Sequence, residues 1–485
     1  MSSLVSDFFS TFKKAITTPI AIGMLIIQFL SGVFMFLIVP FFDIILEDLS
    51  ATMTFIGLEE GLYSLAYGLG SIVWGYLSGK VSKRKYLLIV ATIGSFFGTW
   101  LISIAWDMFS FIFGRIIMGF FISVAYPVNT SISADIFPAG ERVRFYSLLI
   151  YAEMFGMTVS PAIGIVLLPY MGWREIVLIF ILVELIALAF ISPVKEPPRG
   201  AAEEELKKLI EMGITYTGVL TIEGLKKIAR RKSNVLIVTQ AVFGVWAWGV
   251  YGRWLLYYFM TEFNVSKLIA GAFIIVMGFA MVLGFPLQSY MDRVRKRKGL
   301  RVQVLMNGIL TGTFATLFII MFLIPHKPYS PSEYSIIMEE KISIALKQLS
   351  DLIIVILSNA SLVITLSIGF WAYFVATPTG STTFSVLSEV NLPEERGIVV
   401  AFEKLMEYVG QFLGLTISGL LLDILFKRNG SYNYGLILLL STFMWYIAVA
   451  FWYVISRYIE KDYSMVKEEI KRRLQKLQSD RLAEE

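Results

Sequence analysis

The sequence predicts an all-α integral membrane protein in which twelve transmembrane helices form two related six-helix bundles. Three observations predict this fold: long apolar stretches, a one-sided distribution of basic residues, and an internal repeat. Of the 485 residues, 56% are hydrophobic and only 16% are charged, whereas typical soluble domains have about 45–50% and about 25%. A soluble protein of this size could not bury so much apolar surface in one core. We therefore expect the lipid bilayer to surround it.

Twelve stretches are long and apolar enough to cross a bilayer, which takes about 20 residues per helix. They are residues 19–46, 53–78, 86–106, 109–134, 146–168, 176–193, 234–260, 268–291, 302–324, 352–388, 398–424 and 433–456. The first is too long for the apolar part of a signal peptide, and no small-residue cleavage site follows it. The tenth is longer than a span requires, so we expect it to begin as an extension outside the bilayer.

Basic residues fall mainly on one side of these stretches. If the N-terminus is cytoplasmic, 32 of the 42 Lys and Arg residues lie in cytoplasmic segments, seven lie outside and three lie within spans. Because Lys and Arg resist translocation, this bias predicts a multi-pass protein of the cell membrane with both termini in the cytoplasm. The net charge of +5 follows from these loops, and we expect no nucleic-acid partner.

The composition also divides the chain into four parts. Residues 1–193 and 234–459 each contain six of the apolar stretches, and we expect each to form a bundle. Residues 194–233 are polar and rich in charge, which predicts a cytoplasmic linker between the bundles. Residues 460–485 are predicted to be a charged cytoplasmic tail.

An internal repeat relates the two bundles. At an offset of 254 residues, Asp135 matches Glu389, Arg142 matches Arg396, Glu153 matches Glu407 and Gly156 matches Gly410. At an offset of 213, Gly75 to Lys85 matches Gln288 to Lys298, and at 212 Gln28 and Gly32 match Gln240 and Gly244. Two related halves around a central site are typical of secondary transporters.

The loop after the second stretch reads Gly75-x-x-x-Gly79-Lys80-x-Ser82-Lys83-Arg84, and its counterpart contains Asp292-Arg293 and Arg297. These loops resemble the Gly-x-x-x-Asp-Arg-x-Gly-Arg-Arg signature of the major facilitator superfamily, although Gly79 replaces the acid in the first half. Gly114-Arg115-x-x-Met118-Gly119 is similar to that family's Arg-x-x-x-Gly motif. The resemblance implies a monomeric secondary transporter that moves a small-molecule substrate by alternating access, without enzymatic activity, cofactor or metal.

The resemblance also implies a gate on the cytoplasmic side, in which acidic and basic residues pair when that side closes. The residues implied are Gly75, Lys80, Arg84, Asp135, Arg142, Asp292, Arg293, Arg297, Glu389 and Arg396. An alternative is that they form ordinary solvated helix ends and positively charged loops.

Charged residues within the spans are candidates for proton coupling. A cation inside a span costs about 2.5–3.5 kcal/mol on insertion scales, so Arg115 requires either a wet cavity or an ion-pair partner. Glu153 and Glu407 occupy matching positions of the repeat, and burial disfavours the charged form of a carboxyl group. Such groups can take up and release protons, although Lys404 could instead simply neutralise Glu407. Arg253, near the end of its span, is expected to snorkel toward the interface.

In the family, helices 1, 4, 7 and 10 line the central cavity. The corresponding candidate substrate contacts are Gln28, Tyr126, Asn129, Gln240, Trp248, Trp371 and Tyr373. Aromatic residues at these positions could instead pack against neighbouring helices or lie at the lipid interface.

The substrate stays open between several classes. Pro197-Pro198-Arg199-Gly200-Ala201 and Ala134-Asp135-Ile136-Phe137 resemble segments of spinster-type lipid transporters, and the Asp135-x6-Arg142 pair is similar to one in sugar porters. A proton-coupled solute, a lysolipid or other amphiphile, and a sugar are the alternatives. A membrane-embedded enzyme is disfavoured because the chain has no cysteine and one histidine, His326, and a sensor without turnover is the other class considered.

Overall fold

The computed structural model is almost entirely helical and describes residues 11–197 and 230–484, apart from residues 138, 331–334, 426, 429 and 430. Six segments cross the first half. They are α1 (Pro19–Phe36, a 3-10 turn Val39–Phe41, then Phe42–Asp48), α2 (Met53–Lys80), α3 (Lys85–Ser103), α4 (Met108–Ile122 and Ala125–Ile136), α5 (Ala139–Leu167) and α6 (Trp173–Ile191).

Six further segments form the second half. They are α7 (Lys232–Phe263), α8 (Lys267–Leu283 and Phe285–Lys298), α9 (Leu300–Leu323), α10 (Ala360–Ala376 and Pro378–Glu389), α11 (Pro393–Ile424) and α12 (Tyr434–Glu484). Between α9 and α10 lie a 3-10 turn (Ser335–Met338) and two short helices, Ile342–Lys347 and Leu349–Ser358. Strands β1 (Lys427–Arg428) and β2 (Ser431–Tyr432) pair antiparallel between α11 and α12.

The structure confirms the all-α membrane fold with twelve segments. Within the described residues, nine segments meet the length and hydropathy expected of a membrane span. The other three are α2, α6 and α8. Segment α2 carries Glu59 and Glu60 and α6 carries Arg174, Glu175 and Glu184, while the apolar part of α8 has only 17 residues. Low mean hydropathy in α2, where Gly, Ser and Tyr are frequent, charge in α6 and length in α8 separate these three from the rest, and not a different architecture.

Four of the segments are broken, each close to a proline. The breaks lie beside Pro40 in α1, Pro127 in α4, Pro286 in α8 and Pro378 in α10. Proline lacks a backbone N–H and its ring clashes with the preceding turn, so it interrupts a helix. Because α4 and α10 occupy matching places in the repeat, their breaks preserve the pseudosymmetry of the two halves.

The structure defines the ends of two predicted stretches. The start of the tenth stretch, predicted to lie outside the bilayer, is part of the separate helix Leu349–Ser358, which Asn359 divides from α10. The charged tail continues α12 as one helix to Glu484. Residues 198–229 of the predicted linker lie outside the described residues, so the four-part division of the chain stays a prediction.

The halves meet along two helix pairs, α2 with α11 and α5 with α8. At the closest approach, a Cβ atom added to Gly57 would lie 2.3 Å from the carbonyl oxygen of Leu415 and 3.0 Å from the Cα of Gly419. Small residues permit this approach of two helix backbones in a membrane. The contact between the halves therefore depends on the absence of side chains at Gly57 and Gly419.

We predict that Gly57→Val lowers the apparent melting temperature of the purified protein in detergent. Forcing a side chain into a packed contact costs about 1–3 kcal/mol, and here the neighbouring atoms belong to backbone that cannot move aside. Gly79→Val is the matched control on the same helix, because a Cβ at Gly79 would meet nothing within 4 Å. Equal melting temperatures for the two variants would contradict the close packing of α2 on α11.

Candidate functional site

The two ends of the bundle serve as reference points for the positions of the site residues along their helices. The α2–α3 and α8–α9 loops lie at one end, here called the basic end, since both carry clusters of Lys and Arg. The α1–α2 and α7–α8 loops lie at the other, here called the opposite end. Because successive helices alternate in direction, each residue can be placed by its distance along its helix from one of these ends.

A buried network of four charged side chains joins the halves, nearer the opposite end than the basic end. This four-charge network consists of Glu59 and Glu60 on α2, Arg115 on α4 and Arg253 on α7. Arg115 Nε pairs with Glu59 Oε1, and Arg115 Nη2 lies 2.9 Å from Glu60 Oε1. The other oxygen of Glu60 lies 2.7 Å from Arg253 Nε. One carboxylate is therefore shared between an arginine of each half.

The break in α1 supplies further acceptors to this network. Arg115 Nη1 donates to the carbonyl oxygen of Phe34 at 2.8 Å, and Arg253 Nη2 donates to that of Met35 at 3.2 Å. The last carbonyls of a helix have no partner within the helix, so the end of the first piece of α1 can accept these bonds. The Arg115 guanidinium also lies 4.0 Å from the centre of the Tyr63 ring, within cation–π range.

The four charges balance one another and are removed from solvent. Their side chains are at most 2% exposed. Within the described part of the chain, the one polar atom of the network without a hydrogen-bond partner is Glu59 Oε2. Removing one member of such a network leaves an uncompensated buried charge, which typically costs about 3–5 kcal/mol.

A second polar cluster lies closer to the basic end and contains three of the predicted site residues. Gln28 Nε2 donates to Glu153 Oε2 at 3.0 Å, and Asn129 Nδ2 donates to Gln28 Oε1 at 3.2 Å. Asn129 also bonds to the carbonyl oxygen of Met24 at 3.0 Å. The structure thus brings a predicted proton-coupling residue into contact with two predicted substrate contacts.

From the second half, α11 presents charges to the same region. Lys404 and Glu407 form an ion pair, which matches the alternative that Lys404 neutralises this acid. Lys404 is also close enough to Glu153 and Tyr126 of the first half to interact with them electrostatically. Glu153 and Glu407, which match in the repeat, therefore share one nearby cation.

The remaining predicted substrate contacts have different surroundings. Trp248 lies 5.5 Å from Tyr373 between ring centres, and both line a common cavity. Gln240 is 7% exposed. Tyr126 is 49% exposed on α4, and Trp371 is 55% exposed. At about 100° per residue, Trp371 lies about 160° around α10 from Tyr373, so the two rings occupy different faces of this helix.

The cavity has a volume of about 1140 Å³ and receives residues from both halves. Trp248, Tyr373 and Gln411 lie on its wall within the bundle. From there it extends between α5 and α8, where its wall is apolar and includes Phe155, Ile165, Gly271, Ile275, Gly278 and Val282. A Cβ added to Gly278 would meet nothing within 4 Å. The seam between α5 and α8 is therefore open space flanked by apolar side chains.

At the basic end, predicted gate residues form ion pairs within each half. Arg84 pairs with Asp135 and also lies 2.8 Å from Glu196, at the start of the linker. In the second half Glu389, which matches Asp135, pairs with Arg295. Sequence reasoning did not single out Arg295, although it belongs to the predicted basic loop.

The other predicted gate residues have different surroundings. The Lys80 ammonium lies 4.8 Å from the Tyr76 ring centre, and Gly75 lies against Pro127. Arg293, Arg297 and Arg396 are exposed. The side chains of Arg142 and Asp292 lie outside the described residues.

The described polar contacts between the halves lie midway or toward the opposite end. Asp43 pairs with Lys267 at 2.8 Å, Thr54 Oγ1 donates to Asp423 at 2.6 Å, Tyr257 donates to the Val39 carbonyl at 2.9 Å and Ser64 donates to Gln411 at 3.1 Å. Together with the four-charge network, these contacts hold the opposite end closed in this structure.

Sequence reasoning missed Glu59 and Glu60, and it was wrong about Arg253. Arg253 is 1% exposed and paired with Glu60, so it does not snorkel to the interface. One signal could have found both acids, since a buried arginine requires an anion and Glu59-Glu60 is the charged pair within the second apolar stretch. Across the described residues, no group of three acidic or histidine side chains could hold a metal ion.

A family model described as Major Facilitator Superfamily matches residues 24–414. The chain belongs to this superfamily. It is therefore a transmembrane transporter by family, and its two six-helix halves are those of the major facilitator fold.

Individual relatives are distant. The chain is 29% identical over 188 residues to the "Uncharacterized MFS-type transporter YdgK" of Bacillus subtilis (strain 168), which covers 37% of this chain and 45% of that protein. It is 30% identical over 105 residues to human "Synaptic vesicle glycoprotein 2C", covering 22% of this chain and 14% of that protein. The chain thus spans less than half the length of these two curated relatives.

Solved structures match over nearly the whole chain. A bacterial homolog of the human lysosomal transporter Spinster, in an inward-facing and unoccupied conformation, superposes with a TM-score of 0.66 at 15% identity and covers 91% of this chain and 97% of its own. A D-xylose-proton symporter superposes with a TM-score of 0.59 at 16% identity, covering 90% and 96%. At these identities the likeness establishes the fold of this transporter.

We predict that Arg253→Gln lowers the stability of this transporter far more than Arg174→Gln. The first leaves Glu60 without its partner in the second half, at about 3–5 kcal/mol for a broken buried pair. The second breaks the partly exposed Arg174–Asp48 pair, worth about 0–1 kcal/mol. Thermal unfolding in detergent measures both, and the double variant Arg253→Gln/Glu60→Gln should recover part of the loss.

Equal effects of the two arginine substitutions would show that Glu60 is not a structural link between the halves. If the double variant loses more stability than the two single variants lose together, the assigned pairing is contradicted. Removing both partners should leave no uncompensated charge.

Proposed function

We propose that this protein is a secondary active transporter that moves a small organic solute by alternating access, coupled to protons. The observations that carry the proposal are the buried Glu153, hydrogen-bonded to Gln28 in the first half, and the Lys404–Glu407 ion pair that α11 of the second half presents to the same region. Because Lys404 lies between the two halves, its attraction to each acid changes when that acid binds a proton. Proton coupling requires such a link between protonation and the relative position of the halves.

The proposed substrate site lies between the Gln28–Asn129–Glu153 cluster and the aromatic pair Trp248 and Tyr373. The amide groups offer both donors and acceptors, while the aromatic rings offer apolar faces. Tyr126 and Gln240 complete the candidate contacts. Trp371 lies on a different face of α10 from Tyr373, so it is not part of the proposed site.

Coupling follows from electrostatics. With Glu153 ionised, its attraction to Lys404 draws the two halves together at the level of the cluster. Protonation of Glu153 removes that attraction and leaves Lys404 to Glu407, so closure at the basic end becomes less favourable. A ligand shifts the equilibrium between two conformations only by as much as its affinity differs between them. A proton meets this condition, because Glu153 binds it more tightly when the basic end is open than when it is closed. In the four-charge network, Arg115 is the arginine of the first half.

We assign the basic end to the cytoplasm, because Lys and Arg accumulate on that side of membrane proteins. The protein then resides in the cell membrane as a monomer with both termini inside. The pairs Arg84–Asp135 and Arg295–Glu389 would exchange partners between the halves when the cytoplasmic side closes, with Lys80, Arg142, Asp292, Arg293, Arg297 and Arg396 as further gate residues beside Gly75.

A second candidate function is transport of an amphiphile. The observation that favours it is the apolar cavity that continues from Trp248 and Tyr373 into the seam between α5 and α8. A single apolar chain could occupy that seam while a polar head remains at the cluster. The segments that resemble spinster-type lipid transporters agree with this candidate, and the structural likeness to the D-xylose-proton symporter agrees with a sugar.

Ligand screening followed by transport tests the proposal. Sugars, nucleosides, organic anions and lysophospholipids are screened for an increase in melting temperature, because a ligand that binds only the folded state stabilises it. The best-stabilising compound then serves as the probe for uptake into proteoliposomes, with and without a pH gradient. A lysophospholipid hit would select the second candidate.

We predict that Glu153→Gln and Glu407→Gln each reduce gradient-driven accumulation of the probe about tenfold, within the usual range of coupling free energies. Exchange of labelled for unlabelled probe, which needs no net proton movement, should persist. Glu141→Gln is the control, since Glu141 pairs with Lys14 at a partly exposed position. Uptake that ignores the pH gradient, with both variants fully active, would overturn proton coupling.

A further inference from the structure

The segment between α9 and α10 has no counterpart in the first half. There α3 ends at Ser103 and α4 begins at Met108, whereas α9 ends at Leu323 and α10 begins at Ala360. The added segment contains the helix Leu349–Ser358, which is 10 residues long. An addition that the repeat does not require calls for a separate physical explanation.

One side of this helix packs against the protein. Leu352 is 8% exposed, and Val355 and Ile356 pack against the hydrophobic core. The hydroxyl of Tyr329 donates to the carbonyl oxygen of Val355 at 2.9 Å. The helix is therefore held in a fixed orientation at the opposite end.

A second side is apolar and uncovered. Leu349, Ile353, Ile354 and Leu357 are 47%, 46%, 65% and 64% exposed. At about 100° per residue, these four lie on one arc of the helix, with Ser350 as the polar residue among them. The third side carries Asp351 and Ser358, which are exposed. The helix thus has a protein side, an apolar side and a polar side.

The apolar side continues the surface that the spans present to lipid. Leu323 at the end of α9 is 67% exposed, and on α10 Ile364 and Trp371 are 49% and 55% exposed. The helix stands directly before α10, separated from it by Asn359 alone. Its exposed aliphatic side chains therefore lie at the level where α9 and α10 leave the membrane.

We propose that Leu349–Ser358 is an interfacial membrane-docking helix whose apolar side inserts among the acyl chains of the leaflet at the opposite end. A helix with one apolar and one polar side lies in the plane of the interface, with its apolar side buried in lipid. Burial of the exposed aliphatic side chains in lipid is favourable because it removes apolar surface from water. Asp351 and Ser358 then remain among headgroups and water.

The same added segment holds the contact that closes the opposite end. The backbone N–H of Ser266 donates to the Ile337 carbonyl at 2.9 Å, and that of Lys267 donates to Glu340 at 3.2 Å. Lys267 makes the ion pair with Asp43 of the first half, and Ile342 lines the cavity between the halves. Docking of Leu349–Ser358 would therefore connect the start of α8, and its Lys267–Asp43 ion pair, to the leaflet.

The absence of native cysteine permits a direct test by site-specific labelling. The variants Ile354→Cys, Leu357→Cys and Asp351→Cys each receive an environment-sensitive fluorophore in phosphatidylcholine vesicles. All three positions are exposed, so the label need not displace packed side chains. We expect blue-shifted emission and strong loss of fluorescence with nitroxide-labelled lipid at 354 and 357, and loss with aqueous iodide at 351.

Two results would overturn the proposal. Iodide quenching at positions 354 and 357 equal to that at 351 would place the apolar side in water. Shielding of 354 and 357 from both quenchers would mean that protein, such as a second copy of the chain, covers them. Neither result depends on the substrate or on proton coupling, because the readout requires only the folded protein in a bilayer.

Discussion

The carboxylate of Glu60, shared between Arg115 of the first half and Arg253 of the second, is the interaction on which the arrangement of the two halves depends. An unpaired ion at this depth would be strongly unfavourable. Glu60 is the acid that pairs with Arg253, whereas Arg115 pairs with both Glu59 and Glu60. Because these groups belong to both halves, separating the halves on this side means breaking a buried ion pair or exposing it to water.

The local backbone makes this network possible. The break of α1 beside Pro40 ends the first helical piece at Phe36, which leaves the carbonyls of Phe34 and Met35 free to accept from the two arginines. Close packing of Gly57 against Gly419 brings α2 and α11 together along the same seam. Polar and steric constraints thus favour one closed arrangement at the opposite end, while Lys404, Glu153 and Glu407 form a separate charged layer nearer the basic end.

Much of the fold follows from sequence, because apolar length and the distribution of Lys and Arg depend only on local composition. Each broken segment has a proline at its break, but Pro161 lies within the unbroken helix α5, so a proline alone does not show where a segment breaks. The pairing of Arg115 could not be predicted either, since it depends on how α2 and α4 pack. Glu59 and Glu60 stand out as two acids within an apolar stretch, but only tertiary structure shows that Arg253 reaches Glu60 from the other half. Gln28, Asn129 and Glu153 were named separately from family position and repeat, and their contact became visible only in three dimensions. Trp371 shows the converse: aromatic character on α10 did not reveal which face of the helix it occupies.

Alternating access requires that one end opens while the other closes. In this account, the ion pairs of Glu60 keep the opposite end closed. The most direct measurement is the distance distribution between paired spin labels introduced by cysteine substitution, with Lys80 and Arg297 reporting on the basic end and Ser50 and Lys327 on the opposite end. We predict two populations in the bilayer. In one, the distance at the basic end is longer and the distance at the opposite end is shorter; in the other, the basic-end distance is shorter and the opposite-end distance is longer. Arg253→Gln should increase the second population. Distances that stay single and unchanged in this variant, or that lengthen at both ends together, would contradict the account.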